Sequence, residues 1–227
     1  ANGTTVGTGS TYLVTEAEVN KTITVVASYT DGHGTPESVS SAATAAVTNV
    51  SAAPTGAGKV DNTTPAQRNT PTAAKTLADA DGLGTLSHQW LRGGVEVAGA
   101  NSVNYTLGDA DVGAQMSVRV SYVDAQGTPE SVTSALTVAV ANVNDAPVGV
   151  VGLSGLAQSG QTLVADASGL GDADGLGALS YQWLRGGAAV GGATAVSYVR
   201  GAADVGQQVS VRVCHVDGQG TAEAVTS

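Results

Sequence analysis

The clearest pattern of apolar and polar positions in the chain lies between residues 115 and 123. Apolar side chains occupy one phase and small or charged ones the other, namely Met116, Val118, Val120 and Tyr122 against Ser117, Arg119 and Ser121. Because successive side chains of a strand point to opposite faces, this period of two predicts a β-strand with one packed face and one wet face.

Six more strand segments surround this one, and glycine and proline separate them. Gly93-Gly94 and the pair Gly127 and Pro129 are the strongest turn signals. Seven short strands of this spacing predict an all-β fold, an immunoglobulin-like (cadherin-like) Greek-key sandwich. The predicted strands are 57–64, 72–78, 86–92, 95–98, 102–107, 115–123 and 131–141.

The chain is an internal repeat with a period of 93 residues. The stretch from Asp79 to Gly94 returns as Asp172 to Gly187, and 38 of 56 positions are identical between 79–134 and 172–227. We therefore expect tandem modules. Residues 1–56 match the second half of a module, 57–149 form a complete one, and 150–227 lack the last strand. A segment of a longer protein would begin and end in this way.

The second and third modules carry one tryptophan each, Trp90 and Trp183. In the second module, Leu86, His88 and Trp90 fall on the same phase of the predicted third strand, which indicates core positions. An aromatic box that stacks on a ligand is the alternative. The core interpretation is favoured because each aromatic side chain falls on the inward phase of its strand.

Composition excludes several classes of partner. Nine Lys and Arg against 19 Asp and Glu give a formal charge of −10, which argues against nucleic acid and anionic membranes and favours divalent cations. No stretch approaches the ~18 apolar residues of a membrane span. Cys214 is the only cysteine, so no disulfide forms within the chain.

Catalytic patterns are absent, and we expect no enzyme. His33, His88 and His215 occupy three unrelated module positions. Cys214 stands where the other modules carry Ser28 and Ser121, so it is interpreted as a tolerated small residue and not as a nucleophile.

Acidic residues and amides are predicted to meet where one module follows another. In this topology the second-to-third and sixth-to-seventh loops emerge at the end where the chain enters the module. A hard cation needs 6–8 oxygen ligands, so this convergence predicts a Ca²⁺ site. The predicted ligands are Asn142, Asn144, Asp145, Asp172, Asp174, Asp217 and Glu223, with Asp79, Asp81, Asp124 and Glu130 at the equivalent positions of the second module.

Two other interpretations of the acidic residues stay open. The Asp-Ala-Asp-Gly runs are also typical of a solvated turn with an Asx cap, which needs no metal. The separate cluster at Asp109 and Asp111 is expected at the opposite end of the module, where Asp111 would cap its turn. The first connector carries Ser51-Ala52 where the second carries Asn144-Asp145, which weakens the case for metal there.

Six motifs stand out in the repeat and its connector. They are the acidic loop 172–177, Tyr181-Gln182-Trp183-Leu184-Arg185-Gly186-Gly187, Asp204-Val205-Gly206, Val211-Arg212-Val213, the run from Asp217 to Glu223, and Asn142-Val143-Asn144-Asp145-Ala146-Pro147. Together they resemble the tandem Ig-like or cadherin-like repeats of very large bacterial surface and secreted proteins, including RTX-type adhesins. The resemblance implies an extracellular or cell-surface location and a role as a calcium-stiffened extender, with neighbouring copies of the repeat as partners.

The expected function is therefore a rigid spacer segment. One alternative is a module that presents its loops to a carbohydrate or protein ligand. Another is a head-to-tail filament, in which neighbouring chains complete the partial modules by exchanging strands. An accessory segment beside a catalytic domain is a third.

Overall fold

The computed structural model describes all 227 residues. It is an all-β structure of Ig-like sandwich type, with three short 3₁₀ turns and no α-helix. The strands are β1 Val26–Thr30, β2 Pro36–Ser40, β3 Gly58–Val60, β4 Ala73–Lys75, β5 Ser87–Arg92, β6 Val95–Glu96, β7 Met116–Val123, β8 Pro129–Thr133, β9 Gly152–Ser154, β10 Thr162–Asp166, β11 Ser180–Arg185, β12 Ala188–Ala189, β13 Ser197–Val199, β14 Val209–Val216 and β15 Ala222–Thr226.

The chain forms two compact units. The first comprises Ala1–Thr63, Pro71–Tyr105 and Gln115–Val138. The second comprises Thr64–Thr70, Thr106–Ala114 and Ala139–Ser227.

The first unit contains the hairpin β1-β2, the pair β3-β4 and the four-stranded antiparallel sheet β6-β5-β7-β8. Its core lies between the last two of these, where Val60, Trp90, Ala100 and Val118 are buried together. Trp90 stands directly opposite Val118 across β5 and β7, so the two largest contributions to this core come from one cross-strand pair.

The second unit contains the three-stranded sheet β13-β10-β9 and the four-stranded sheet β12-β11-β14-β15. Trp183 on β11 faces Val211 on β14, as Trp90 faces Val118. Leu163 on β10 and Val213 on β14 complete the centre of the core, which both sheets cover. The structure contains no helix long and apolar enough to cross a membrane.

The predicted alternation of β7 is confirmed on its packed face, where Met116, Val118 and Val120 are fully buried and Tyr122 is nearly so. The prediction of a wet side is wrong for Ser117, which is 2% exposed. Its cross-strand partner Leu91 is buried as well, so this part of the second face is also covered.

Most predicted strands of the second module are shorter than expected, and the strands predicted over 57–64, 72–78 and 95–98 are reduced to β3, β4 and β6. In place of the strand predicted over 102–107 there is a single bridge between Thr72 and Asn104. The predicted strand 131–141 is regular only as far as Thr133, and an isolated bridge joins Val112 to Val140 beyond it.

Candidate metal sites at the acidic loops

The acidic loop of each module is an Asx turn. The backbone N–H of Asp81 donates to Oδ1 of Asp79 at 2.8 Å, and that of Asp174 donates to Oδ1 of Asp172 at 2.8 Å. The cap expected of a plain turn is therefore present. The turn is not solvated as expected, because Asp81 is only 4% exposed and Asp174 only 8%.

A second buried aspartate follows β7 and β14. Oδ1 of Asp124 accepts from the backbone N–H groups of Gln126 and Thr128, at 2.9 and 2.7 Å. Asp217 makes the same pair of bonds in the third module, at 2.8 Å each. In each aspartate one carboxylate oxygen thus closes the turn, and the other is left for another role.

The two acidic loops of each module touch each other. The N–H of Ala125 donates to the carbonyl oxygen of Asp81 at 3.2 Å, and that of Gly218 donates to the carbonyl oxygen of Asp174 at 3.0 Å. In the third module this approach leaves no room for a Cβ on Gly218, which would stand 2.5 Å from the Asp174 carbonyl oxygen, whereas the second module carries Ala125 at the equivalent position.

The connectors reach the same loops. The N–H of Ala52 donates to Oδ2 of Asp81 at 2.6 Å, and the N–H of Asp145 donates to Oδ2 of Asp174 at 2.6 Å. The Asn144 amide donates to Oε1 of Glu223 at 2.8 Å. The structure therefore brings the Asn144 side chain to Glu223 and the Asp145 backbone to Asp174, as the sequence predicted for these residues.

The carboxylate of Asp145 is held by protein donors. Arg68 forms an ion pair with its Oδ1, and the Gln67 amide donates to its Oδ2 at 3.3 Å. Gln67 is 3% exposed, also donates to Asp109, and accepts the N–H of Val143 at 3.1 Å. With its charge balanced by Arg68, Asp145 is the predicted ligand least free to bind a cation.

Several other oxygen atoms at these loops are buried and have no hydrogen-bond partner. A buried acceptor without a partner is costly, and a carboxylate more so, unless a cation neutralises it. The unpartnered atoms recur 93 residues apart on Asn49 and Asn142 and on Asp124 and Asp217. They are Oδ1 of Asn49, Oδ1 of Asp81 and Oδ2 of Asp124, then Oδ1 of Asn142, Oδ2 of Asp217 and Oε2 of Glu223.

These atoms fit Ca²⁺, which takes carboxylate and amide oxygens as ligands. Asn49, Asp81 and Asp124 would contribute to a site at the first connector. Asn142 and Asp217, with the neighbouring Asp174, would contribute to one at the second, whereas Oε2 of Glu223 faces Nε2 of His215.

Glu16 would be a further ligand of a site at the first connector, and the sequence did not assign it there. A side-chain contact with Asp81 raises the pKa of Glu16 above its ordinary value, and burial and the charge of Asp81 act in the same direction. Two carboxylates in contact favour a proton or a cation between them. Asp109, which contacts Gln67, is the residue equivalent to Glu16 one repeat later.

The order of strands in the repeat shows at which end of their modules Glu16 and Asp109 lie. Both precede the sixth strand of their module, at the end opposite its own acidic loop. That end is the one from which the chain leaves for the next module, which is why Glu16 meets Asp81 of the following acidic loop. Asp109 contacts Gln67 instead.

A tyrosine bridges two carboxylates in the second module. Tyr122 Oη lies 2.5 Å from Oδ2 of Asp79 and 2.7 Å from Oε2 of Glu130. Burial, followed by these two carboxylates, raises the pKa of Tyr122, which stays protonated. The Tyr122 bond lowers the pKa of Asp79, whereas contact with Asp79 raises that of Glu130.

The third module has His215 where the second has Tyr122. Its Nε2 lies 3.1 Å from Oδ2 of Asp172 and 3.6 Å from Oε2 of Glu223. The contact with His215 lowers the pKa of Asp172. The bond from Asn144 lowers the pKa of Glu223, but burial and the charges of Asp172 and Asp217 outweigh it, so the net shift is upward.

The remaining buried acids cap 3₁₀ turns, as predicted for Asp111. Oδ2 of Asp111 accepts the N–H of Gly108 at 2.8 Å, and Oδ2 of Asp204 accepts that of Gly201 at 2.7 Å. Glu18 accepts the N–H of Thr15 at 3.0 Å in the same way. These three carboxylates are satisfied by the protein.

A solved structure similar to the chain contains three N-terminal domains of the Highly Immunogenic Outer Capsid protein (Hoc) of bacteriophage RB49. The sequence identity is 18% and the TM-score 0.29, and the match covers 77% of this chain and 58% of that chain. The chain therefore spans less than two thirds of that structure. No family model and no curated protein sequence matches the chain. The class evident from its strands is an all-β protein of Ig-like sandwich type.

Proposed function

We propose that this chain is a non-catalytic segment of tandem Ig-like modules that acts as a spacer in a large bacterial surface or secreted protein of the adhesin type. Ca²⁺ bound where each connector meets the next acidic loop would restrict bending there. The module repeat, the short connectors and the net charge of −10 support this proposal.

One observation carries the calcium part of the proposal. The same two side chains, an asparagine of the connector and an aspartate of the loop after the sixth strand, each keep a buried oxygen without a partner in both repeats. The two modules therefore share the same unfavourable feature, which a bound cation would relieve in both. An affinity of ~10⁻⁴–10⁻³ M, typical of extracellular modules, would suit millimolar calcium outside the cell.

The direct test uses substitutions that keep the turn and remove the ligand. Asp124→Asn and Asp217→Asn retain an Oδ1 for the two backbone N–H groups but lose the carboxylate charge. Asp31→Asn is the matched control, because Asp31 makes the same turn bonds, to His33 and Thr35, without a buried unpartnered oxygen. After stripping with EDTA, calorimetry and thermal unfolding are followed during titration with CaCl₂.

We expect wild type and Asp31→Asn to bind Ca²⁺ and to unfold at higher temperature with it. Each of Asp124→Asn and Asp217→Asn should lose one binding event. The absence of both heat and thermal shift in the wild type at millimolar Ca²⁺ would overturn the calcium sites.

The spacer role needs a separate measurement. Small-angle scattering with and without chelator reports how broadly the distances within the particle are distributed. A distribution that broadens when Ca²⁺ is removed supports stiffening, and an unchanged one contradicts it. The molecular mass from the same data separates a monomer from a filament assembled by strand exchange.

A further inference from the structure

The cluster of Asp172, His215 and Glu223 is chemically different from the proposed calcium sites. One atom of each residue, Oδ2, Nε2 and Oε2, lies within 4.8 Å of the other two. The side chains are nearly inaccessible, at 0% exposure for Asp172, 1% for His215 and 10% for Glu223. Each residue comes from a separate segment, so only the folded module assembles the cluster.

Hydrogen bonding does not satisfy this cluster. A single N–H at Nε2 of His215 can donate to one carboxylate, and Asp172 is the nearer, at 3.1 Å. Oε2 of Glu223 points at the same nitrogen from 3.6 Å and has no hydrogen-bond partner. Tyr122 differs because its hydroxyl can donate to one carboxylate and its oxygen can accept from the other when that carboxyl group is protonated, and the raised pKa of Glu130 favours this.

The spacing matches that of ligands around a small tetrahedral ion. Metal–ligand bonds of ~2.0–2.1 Å place neighbouring ligand atoms about 3.3 Å apart. The distances of 3.1 and 3.6 Å from Nε2 lie on either side of that value. Imidazole nitrogen suits Zn²⁺ and related transition metals, whereas Ca²⁺ takes oxygen.

We propose that Asp172, His215 and Glu223 form a binding site for a divalent transition-metal ion of the Zn²⁺ class, present in the third module and absent from the second. Three protein ligands leave the fourth position to water. Nδ1 of His215 has no partner whether Nε2 carries a proton or a metal, so it favours neither state. This proposal does not depend on calcium at the connectors.

The test replaces His215 with tyrosine, the residue that the second module carries at the equivalent position 122. The full chain is stripped with chelator and titrated with ZnCl₂ by calorimetry, and with CoCl₂ by visible absorption, for wild type and His215→Tyr. The tyrosine variant recreates the Tyr122 arrangement, which this fold tolerates. His33→Ala, at an exposed position, is the control for adventitious binding to a surface histidine.

Wild type and His33→Ala should bind one Zn²⁺ ion and give the absorption of tetrahedral Co²⁺. His215→Tyr should lose that absorption and bind Zn²⁺ more weakly, by on the order of 100-fold or more. Equal Zn²⁺ affinity in wild type and His215→Tyr, or no tetrahedral Co²⁺ band in the wild type, would overturn the proposal.

Two further measurements make the result independent of folding and of calcium. Glu223→Gln removes one carboxylate ligand without touching the histidine, and it should also weaken Zn²⁺ binding. CaCl₂ titrations of wild type and His215→Tyr report on the connector site separately. Loss of the Zn²⁺ response with the Ca²⁺ response retained supports this site, and loss of both with the folded structure intact contradicts it.

Discussion

Trp90 and Trp183 are the residues on which each module core depends most. Both are fully buried, and each indole N–H donates to a backbone carbonyl, of Ser102 at 3.0 Å and of Ala195 at 2.8 Å. Trp183 also stacks on Tyr198, with ring centroids 5.4 Å apart. The sequence predicted this core position correctly, because each tryptophan follows the inward phase of a strand.

Replacing Trp183 with alanine should destabilise the third module by about 3–5 kcal/mol, because the change removes a large buried ring and leaves a cavity. Urea unfolding followed by far-UV circular dichroism measures the loss, while the fluorescence of Trp90 reports on the unchanged module. A midpoint equal to that of the wild type would contradict the assignment of Trp183 to the core.

Asp204 couples stability to pH. Burial alone would raise its pKa, but the Arg185 guanidinium, the N–H of Gly201 and the hydroxyl of Tyr198 outweigh burial and lower it. Arg185 Nε lies 2.5 Å from its Oδ1. As the pH falls, the unfolded chain, with an aspartate pKa of ~3.9, binds the proton first. The stabilisation is therefore complete at neutral pH and is lost as the pH falls from about 4 through the lowered folded value.

Asp204→Asn should make the third module less stable at pH 7 and less sensitive to acid than the wild type. Urea midpoints between pH 7 and pH 3, in the presence of chelator, test this expectation. Asp31→Asn serves as the control for removing one carboxylate from a turn. Parallel pH profiles for Asp204→Asn and wild type would show that Asp204 does not provide the linkage.

At the scale of elements, the acidic loop is held against the end of the sixth strand by a glycine. A Cβ on Gly177 would stand 1.9 Å from the carbonyl oxygen of Val216, and one on Gly84 would stand 1.9 Å from that of Val123. Neither glycine has a positive φ, so close backbone approach is the reason for glycine here. The recurrence of the Gly-Leu-Gly run thus has a packing explanation, independent of any metal.

Gly177→Ala should push the loop from the strand and cost about 1–3 kcal/mol in the third module. Gly191→Ala is the control, because no atom lies within 4 Å of its added Cβ and its φ is not positive. Thermal unfolding of the two variants compares them directly. Equal melting temperatures would mean that the loop accommodates the methyl group.

The elements predicted best from sequence are the long central strands. In the eight-residue strands β7 and β14, apolar and polar side chains alternate over most of the length, and both strands pair on two sides. The three-residue strands β3, β4, β9 and β13 carry too few positions for a period to be visible. For the site, loop topology predicted the aspartates, whereas Gln67 escaped prediction because only tertiary contacts bring it to Asp109 and Asp145.

At the scale of the whole molecule, the excess of acidic residues gives a net charge of −10 that opposes folding through self-repulsion. Cations can reduce this self-repulsion in two ways, by screening and by binding. Diffuse screening depends only on ionic strength. Bound ions depend on particular ligands. The proposed sites require bound ions. Variants with the same net charge can distinguish ion binding from screening.

Asp124→Asn/Asp217→Asn changes the formal charge from −10 to −8, as does Asp31→Asn/Asp166→Asn at turns outside the candidate sites. NaCl should raise the melting temperature of both double variants and the wild type similarly, because screening ignores position. CaCl₂ of the same ionic strength should add a further increase in the wild type and in Asp31→Asn/Asp166→Asn, and none in Asp124→Asn/Asp217→Asn. If NaCl reproduces the full CaCl₂ effect in the wild type, the stabilisation is screening alone and the unpartnered oxygens bind no ion.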